Sequence, residues 1–322
     1  MRKNLAAAVV GASVALCASV SSAQAWPTQP LKIIVGFPPG GVADAIPRYL
    51  QNALGEALGQ TVVVENRPGG AGIIAMSAIA TATDNHTVGV MTLQNQIVPA
   101  TGASLPYDPR KDLQGIVLFG KTASVLTVHT SLPINNVGEL IAYAKANPGK
   151  LAFATSGNAT GQHFATESLK LGAGIDILHV PYKGVAPAYT DVLSGRVPVM
   201  FMTYGSGKQH WESGKVRPLA VSTPTRFPLM PELPTMAEAS GISDFSLIEW
   251  YALVAPGTMT REAKEKLHKA LVTLMSKPEH GEFNKKYGLV YDNMSIDDTN
   301  AFLVNEMARM TVIAKRAGIK LD

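Results

Sequence analysis

Cysteine is nearly absent. Cys17 is the only one among 322 residues, and it lies in a leader expected to be removed, so the remaining chain has no disulfide framework and no thiolate to serve as nucleophile or metal ligand. A strong charge of one sign is also missing. The 28 Lys and Arg stand against 24 Asp and Glu, and basic residues such as Lys145, Lys150, Lys183 and Lys215 are scattered singly. Nothing tracks a phosphate backbone, and nucleic acid is excluded as a partner. After residue 25 no apolar run approaches the roughly 20 residues that span a bilayer.

Enzyme motifs are equally scarce. No G-x-S-x-G elbow occurs, and Gly205-Ser206-Gly207-Lys208-Gln209 fails as a P-loop because Met202 stands at its first glycine and Gln209 at its Ser/Thr. Gly172-Ala173-Gly174 lacks the third glycine of a dinucleotide fingerprint. The seven histidines show no H-E-x-x-H spacing, and His210-Trp211-Glu212 is only a weak metal candidate. The expectation is no catalytic residue, no metal and no cofactor.

What is present begins with an export leader. Arg2 and Lys3 form a basic start, Leu5 to Val20 is almost wholly apolar, and Ala23-Gln24-Ala25 is an A-x-A cleavage site. Residues 1–25 are expected to leave as a signal peptide, and Leu16 before Cys17 argues against lipid attachment. Removal of Arg2 and Lys3 lowers the net charge from +4 to +2. The 297 residues that remain are enough for two domains with their own cores.

Short apolar strands alternate with amphipathic helices. Leu31 to Gly36 reads as a strand buried on both faces, and Ile46, Leu50, Ala53, Leu54, Ala57 and Leu58 recur at helical spacing before Gly59. Asp44 is placed as the N-cap, with Pro47 in the first turn. Further strands are expected at Thr61 to Val64, Thr87 to Leu93, Val125 to His129, Leu151 to Thr155, Val199 to Met202 and Ile248 to Val254. The pattern predicts parallel sheets covered by helices.

Two strand-to-helix loops carry the chemistry. In Phe37-Pro38-Pro39-Gly40-Gly41-Val42-Ala43-Asp44 the prolines lack N–H groups, and the N–H groups of Gly40 to Ala43 gather at a helix N-terminus, an anion site by geometry and dipole. Asp44 would repel an anion, so any contact of its own with a ligand runs through ordered water or a cationic ligand group. The second loop, Thr155 to His163, offers the hydroxyls of Ser156 and Thr160 and a close backbone approach at Gly157. His163 either packs or donates to a carboxylate. Tyr182 and Lys183 follow a strand end, where Lys183 either neutralises a carboxylate or is merely solvated. Gln94 and Thr203 add neutral polar groups at other strand ends, where open α/β sheets place ligands.

Taken in order, these motifs resemble one family, the extracytoplasmic solute receptors of tripartite tricarboxylate transporters, or Bug family. The resemblance runs from Trp26-Pro27 and Pro30 to Val35 through Phe37 to Asp44, Val64 to Gly69, Leu105 to Pro109, Asn147 to Lys150, Ser156 to Asn158, His179 to Gly184, Pro234 to Ala239 and Ala317 to Ile319. It implies a two-domain, type II-like periplasmic-binding-protein α/β fold with two crossing hinge strands near Val125 and Trp250. Residues 26–124 plus 249–322 would form one domain and 125–248 the other, with the ligand in the cleft between them. It further implies a periplasmic monomer that takes a small mono- or dicarboxylate, aromatic acids included, to the membrane components of a transporter. A receptor presenting its ligand to a signalling partner and a secreted hydrolase are the alternatives. Two departures from the family pattern stand out: Val42 where many relatives have Gly, and Met202 where many have an acidic residue. Met202 is therefore expected to form an apolar cleft wall that favours a hydrocarbon or aromatic ligand body over an amino acid.

Overall fold

The first strand shows why the chain layers as it does. In the computed structural model, which describes residues 26–320, β1 (Leu31–Val35) sends Leu31, Ile33 and Val35 into one core and Ile34 into another. A strand with helices on both faces needs apolar residues at successive positions, and this one has them. The signal-peptide expectation lies outside the described residues.

β1 leads into α1 (Val42–Leu58), then β2 (Val62–Asn66), α2 (Ile73–Ala80), β3 (Thr87–Thr92) and α3 (Leu93–Ala100). The long β4 (Leu113–His129) follows, then α4 (Val137–Ala146), β5 (Ala152–Thr155), α5 (Gly161–Ala173), β6 (Leu178–Pro181) and α6 (Val185–Leu193). β7 (Val199–Thr203), α7 (Tyr204–Glu212), β8 (Val216–Val221) and the short α8 (Met236–Ser240) complete the central part. β9 (Ile248–Pro256), α9 (Arg261–Met275), α10 (Pro278–Tyr287) and α11 (Ile296–Ala317) end the fold.

The strand order is β2-β1-β3-β9-β4-β7-β5-β6, with β8 also on β4. Pairs at the two ends are parallel, as the alternation predicts. The centre is not. β9 runs antiparallel to β3 and β4, and β4 runs antiparallel to β7 and β8. A strand that travels from one lobe to the other and one that returns run in opposite directions, which local patterning does not reveal.

β4 is also much longer than the expected Val125 to His129. It pairs with β9 from Leu113 to Ala123, then with β7 from Ser124 to Val128. Its partner changes between Ala123 and Ser124. Ser222, fully buried, ties that point to the returning chain: its hydroxyl accepts the Ser124 N–H at 3.1 Å and donates to the Leu247 carbonyl at 2.6 Å. The fold is a two-domain α/β periplasmic-binding-protein fold.

Helix α1 corrects the cap expectation. Its N-cap is Gly41, so Asp44 is the third helical residue and Pro47 falls in the second turn. Asp44 instead reaches back past the cap residue to the loop before it. Its Oδ2 accepts the Gly40 N–H at 3.0 Å.

Candidate functional site

A cleft of about 370 Å³ opens beside the crossing strands. Its first wall is Phe37, Gly41, Val42 and Ala43 at the start of α1, with Thr92 and Gln94 at the start of α3. The wall is held by Asp44 from behind. Asp44 is buried, its Oδ1 accepts Arg48 Nε at 2.9 Å and Asn66 Nδ2 at 2.8 Å, and Asn66 also donates to the Phe37 carbonyl at 3.0 Å. Burial pushes this carboxyl up, yet the hydrogen bonds from Arg48, Asn66 and Gly40 outweigh it and keep its pKa below the ordinary value. Asn66 belongs to the Val64 to Gly69 motif, whose position in the sequence gave no hint of this contact.

The N–H groups now sort themselves. Those of Asp44 and Ala45 return to the Gly41 carbonyl at 3.0 and 2.9 Å, and that of Gly40 goes to Asp44. The N–H groups of Gly41, Val42 and Ala43 are left at the cleft, with no protein partner among the described residues. Gly40, one of the expected ligand donors, is committed to the loop itself.

The opposite wall comes from the loop after β5: Ser156, Thr160, Gly161 and Gln162. Thr160 caps α5, accepting the His163 N–H at 3.3 Å and donating to the Gly157 carbonyl at 3.0 Å, so its hydroxyl is spent on the turn. Gln162, which the sequence reading missed, accepts the Ser156 N–H at 2.7 Å through Oε1. Its side-chain amide donors remain, beside the Ser156 hydroxyl. Gln94 crosses between the walls, donating to the Ala159 carbonyl at 2.9 Å.

A third side is made of hydroxyls. Thr203 Oγ1 and Ser206 Oγ are 2.6 Å apart, and Ser206 continues to the Tyr189 hydroxyl, whose pKa burial raises. Val185 completes this side. Tyr189, Ser206 and Val185 come from helices α6 and α7, and their helical spacing carried no mark of a ligand site.

The floor is the returning strand, with Glu249 and Tyr251. Residues two apart on a strand share a face, which is the one signal that could have paired them. Burial lifts the Glu249 carboxyl to about 7, against a smaller opposing pull from the Ser124 hydroxyl. Burial and the Glu249 charge both raise the Tyr251 phenol.

Of the residues expected from the sequence, Phe37, Gly41, Val42, Ala43, Gln94, Ser156, Thr160 and Thr203 line the cleft, and Gly40, Asp44, Gly157, His163, Tyr182 and Lys183 do not. His163 stands behind the second loop: its Nδ1 takes the Ala159 N–H at 3.2 Å and its ring stacks on His179 at 4.1 Å. Burial first, then the neighbouring His163 and Lys170, bring His179 down to about 4, and burial also lowers His163. The two rings are neutral packing partners near pH 7. Tyr182 donates to Asp191 at 2.6 Å, and Lys183 is exposed to solvent, away from the cleft. Met202 is fully buried among Ala188, Val192 and Met200, because alternate residues of β7 face opposite sides and Thr203 is the one at the cleft. The expected Met202 wall does not exist, and the apolar surface comes from Phe37, Val42, Val185 and Tyr251 instead.

A two-lobed α/β fold with such a cleft at its crossing strands defines a solute-binding receptor. Residues 46–319 match the family model described as tripartite tricarboxylate transporter family receptor. The chain is 33% identical over 322 residues to Protein BugT of Bordetella pertussis, covering 98% of each. It is 35% identical over 285 residues to a UPF0065 protein encoded in the tcbD-tcbE intergenic region of Pseudomonas sp. strain P51, covering 87% of this chain and 85% of that one. Among solved structures, R. palustris Rpa4515 with adipate superposes with a TM-score of 0.80 at 31% identity, over 92% of this chain and 99% of the other. The chain belongs to the tripartite tricarboxylate transporter receptor family, as its ordered motifs imply.

Proposed function

We propose that the chain is a periplasmic receptor that captures a small mono- or dicarboxylate with a hydrocarbon or aromatic body and delivers it to a tripartite membrane transporter. The observation that carries this reading is the cleft's donor set. The N–H groups of Gly41, Val42 and Ala43 at one helix N-terminus face the Ser156 hydroxyl and the Gln162 amide at another, an arrangement that binds an anion through oriented dipoles. No Lys, Arg or His lines the cleft among the described residues. The adipate held by Rpa4515, a relative of the same fold, supports the same class of ligand.

Residues 26–124 plus 249–322 and residues 125–248 are the two lobes in this reading, supported by the change of partner along β4. Ligand enters the open form, and contacts from both walls favour closure. The receptor acts as a monomer after loss of residues 1–25, and no described helix is long and apolar enough to cross a membrane. In this reading the solute leaves the cleft chemically unchanged, which the receptor family to which the chain belongs supports.

A thermal-shift screen of the mature protein against adipate, malate, citrate and benzoate tests the reading. A ligand at a hundredfold excess over Kd adds about 2.7 kcal/mol to stability and raises Tm. No shift with any carboxylate, or chemical conversion of the one that binds, overturns it.

A further inference from the structure

Glu249 is the only charged side chain lining the cleft among the described residues, and it is an acid in a site read as one for acids. It is partly exposed, and that exposure is to the cleft. Its carboxyl lies against the first residue of α5. A Cβ on Gly161 would stand 2.3 Å from Glu249 Oε1, so only glycine there lets the acid reach the helix N-terminus. The same N-terminus forms one of the two anion grips. A ligand carboxylate held by Ser156 and Gln162 therefore meets Glu249 as its neighbour. Two carboxylates in one enclosed site do not both ionise, and one keeps a proton that the pair shares.

The alternative partner for an ionised Glu249 is a cation, and the surroundings supply none. From β9, the titratable neighbour is the Tyr251 phenol. From α6 it is Tyr189, tied to Ser206. On α5, His163 faces Ala159 and His179, and Glu167 is paired with Lys170 at 2.8 Å. On β4, Lys121 is paired with Asp292 at 2.7 Å. The group α3 brings is the neutral Gln94.

We infer that Glu249 works as a carboxylic acid, donating its proton to a carboxylate of the bound solute, so that capture takes up a proton and selects anions over amines. This rests on the carboxylate reading of the cleft. The balance is simple: where Glu249 is ionised beforehand, one proton from solvent joins it as the ligand enters, and no covalent bond changes. Burial puts the free carboxyl at about 7, so the uptake matters across neutral pH. Gly161 has a part in it, since any larger residue drives the acid off the grip.

The test is adipate binding by calorimetry at pH 6.5 and 8.5, with wild type and Glu249→Gln. Wild-type affinity falls about twentyfold over that interval, and buffers of different ionisation enthalpy report proton uptake. Glu249→Gln keeps an N–H donor and cannot titrate, so it binds within about threefold of the wild type at pH 6.5 and with a flat pH profile. Adipate bound with a flat wild-type profile, or more tightly as pH rises, overturns the donor role alone. Absence of binding by adipate, malate, citrate and benzoate alike, at every pH and in both proteins, overturns the carboxylate reading and the donor role with it. A carbon-13 titration of the ligand-free protein decides independently of any ligand: the carboxyl resonance missing from Glu249→Gln has its midpoint near 7, and a midpoint near the ordinary 4.5 overturns the inference.

Discussion

Asp44 shows how a residue can serve a site without touching it. The sequence places an acid beside the helix N-terminus proposed to hold an anion, which looks like a contradiction until its partners are seen: Asp44 accepts hydrogen bonds from Gly40, Arg48 and Asn66. Asp44→Ala leaves the Gly40 N–H and the Asn66 amide without their acceptor and is expected to cost about 2–3 kcal/mol, read as a fall in Tm near pH 7. The sign of the pH dependence follows from the depressed pKa. The unfolded chain binds the proton more readily, so the carboxylate's contribution is complete above its ordinary value of 3.8 and is lost as pH falls through the folded pKa. The difference between wild type and Asp44→Ala narrows in acid, and a constant gap down to pH 2 counts against the account. Lys183 teaches the reverse lesson: a cation at a strand end suits an anion on paper, and only the direction of the chain after β6 sends it to solvent.

At the scale of elements, the crossings carry the interest. β4 and the segment leading into β9 meet at Ser222, whose hydroxyl joins Ser124 to Leu247 inside the protein. Ser222→Ala removes an acceptor and a donor at once and is expected to destabilise by about 1–3 kcal/mol. Chemical denaturation measures that, and a change under about 0.3 kcal/mol shows that the crossing does not depend on it. The strand β1, helix α1 and the helix after β5 were legible because each has a local mark: an unbroken apolar run, helical spacing, a Ser/Thr/Gly loop. The antiparallel centre was not legible. Nor were α3 and α10, since Leu93 to Ala100 and Pro278 to Tyr287 are short and owe their helicity to tertiary packing, α3 against α11 and the sheet and α10 against α7 and α9. Thr92 and Asn95 do form a reciprocal capping box at α3, with Asn95 Oδ1 accepting the Thr92 N–H at 2.9 Å, and that pair was the overlooked sign.

For the whole molecule, the bond from Gln94 to the Ala159 carbonyl is informative because it exists only while the two walls are together. Gln94→Ala is expected to weaken ligand binding about fivefold, the worth of one hydrogen bond of about 1 kcal/mol that reports on closure. Small-angle scattering of wild type is expected to give a smaller radius of gyration once ligand is added. Equal affinity for Gln94→Ala, with closure unchanged, shows that the bridge is incidental.

The sequence by itself determined the α/β alternation, the two glycine-bearing loops at helix starts and the family to which the chain belongs, because each resides in contiguous residues whose backbone preferences act locally. Only the tertiary structure decided which side chains share the cleft. Gln162, Tyr189, Ser206, Glu249 and Tyr251 come from four separate elements, and which face of its strand or helix each presents depends on packing far along the chain. Met202 and Thr203 make the point in two residues: one bond along β7 separates the buried core from the cleft.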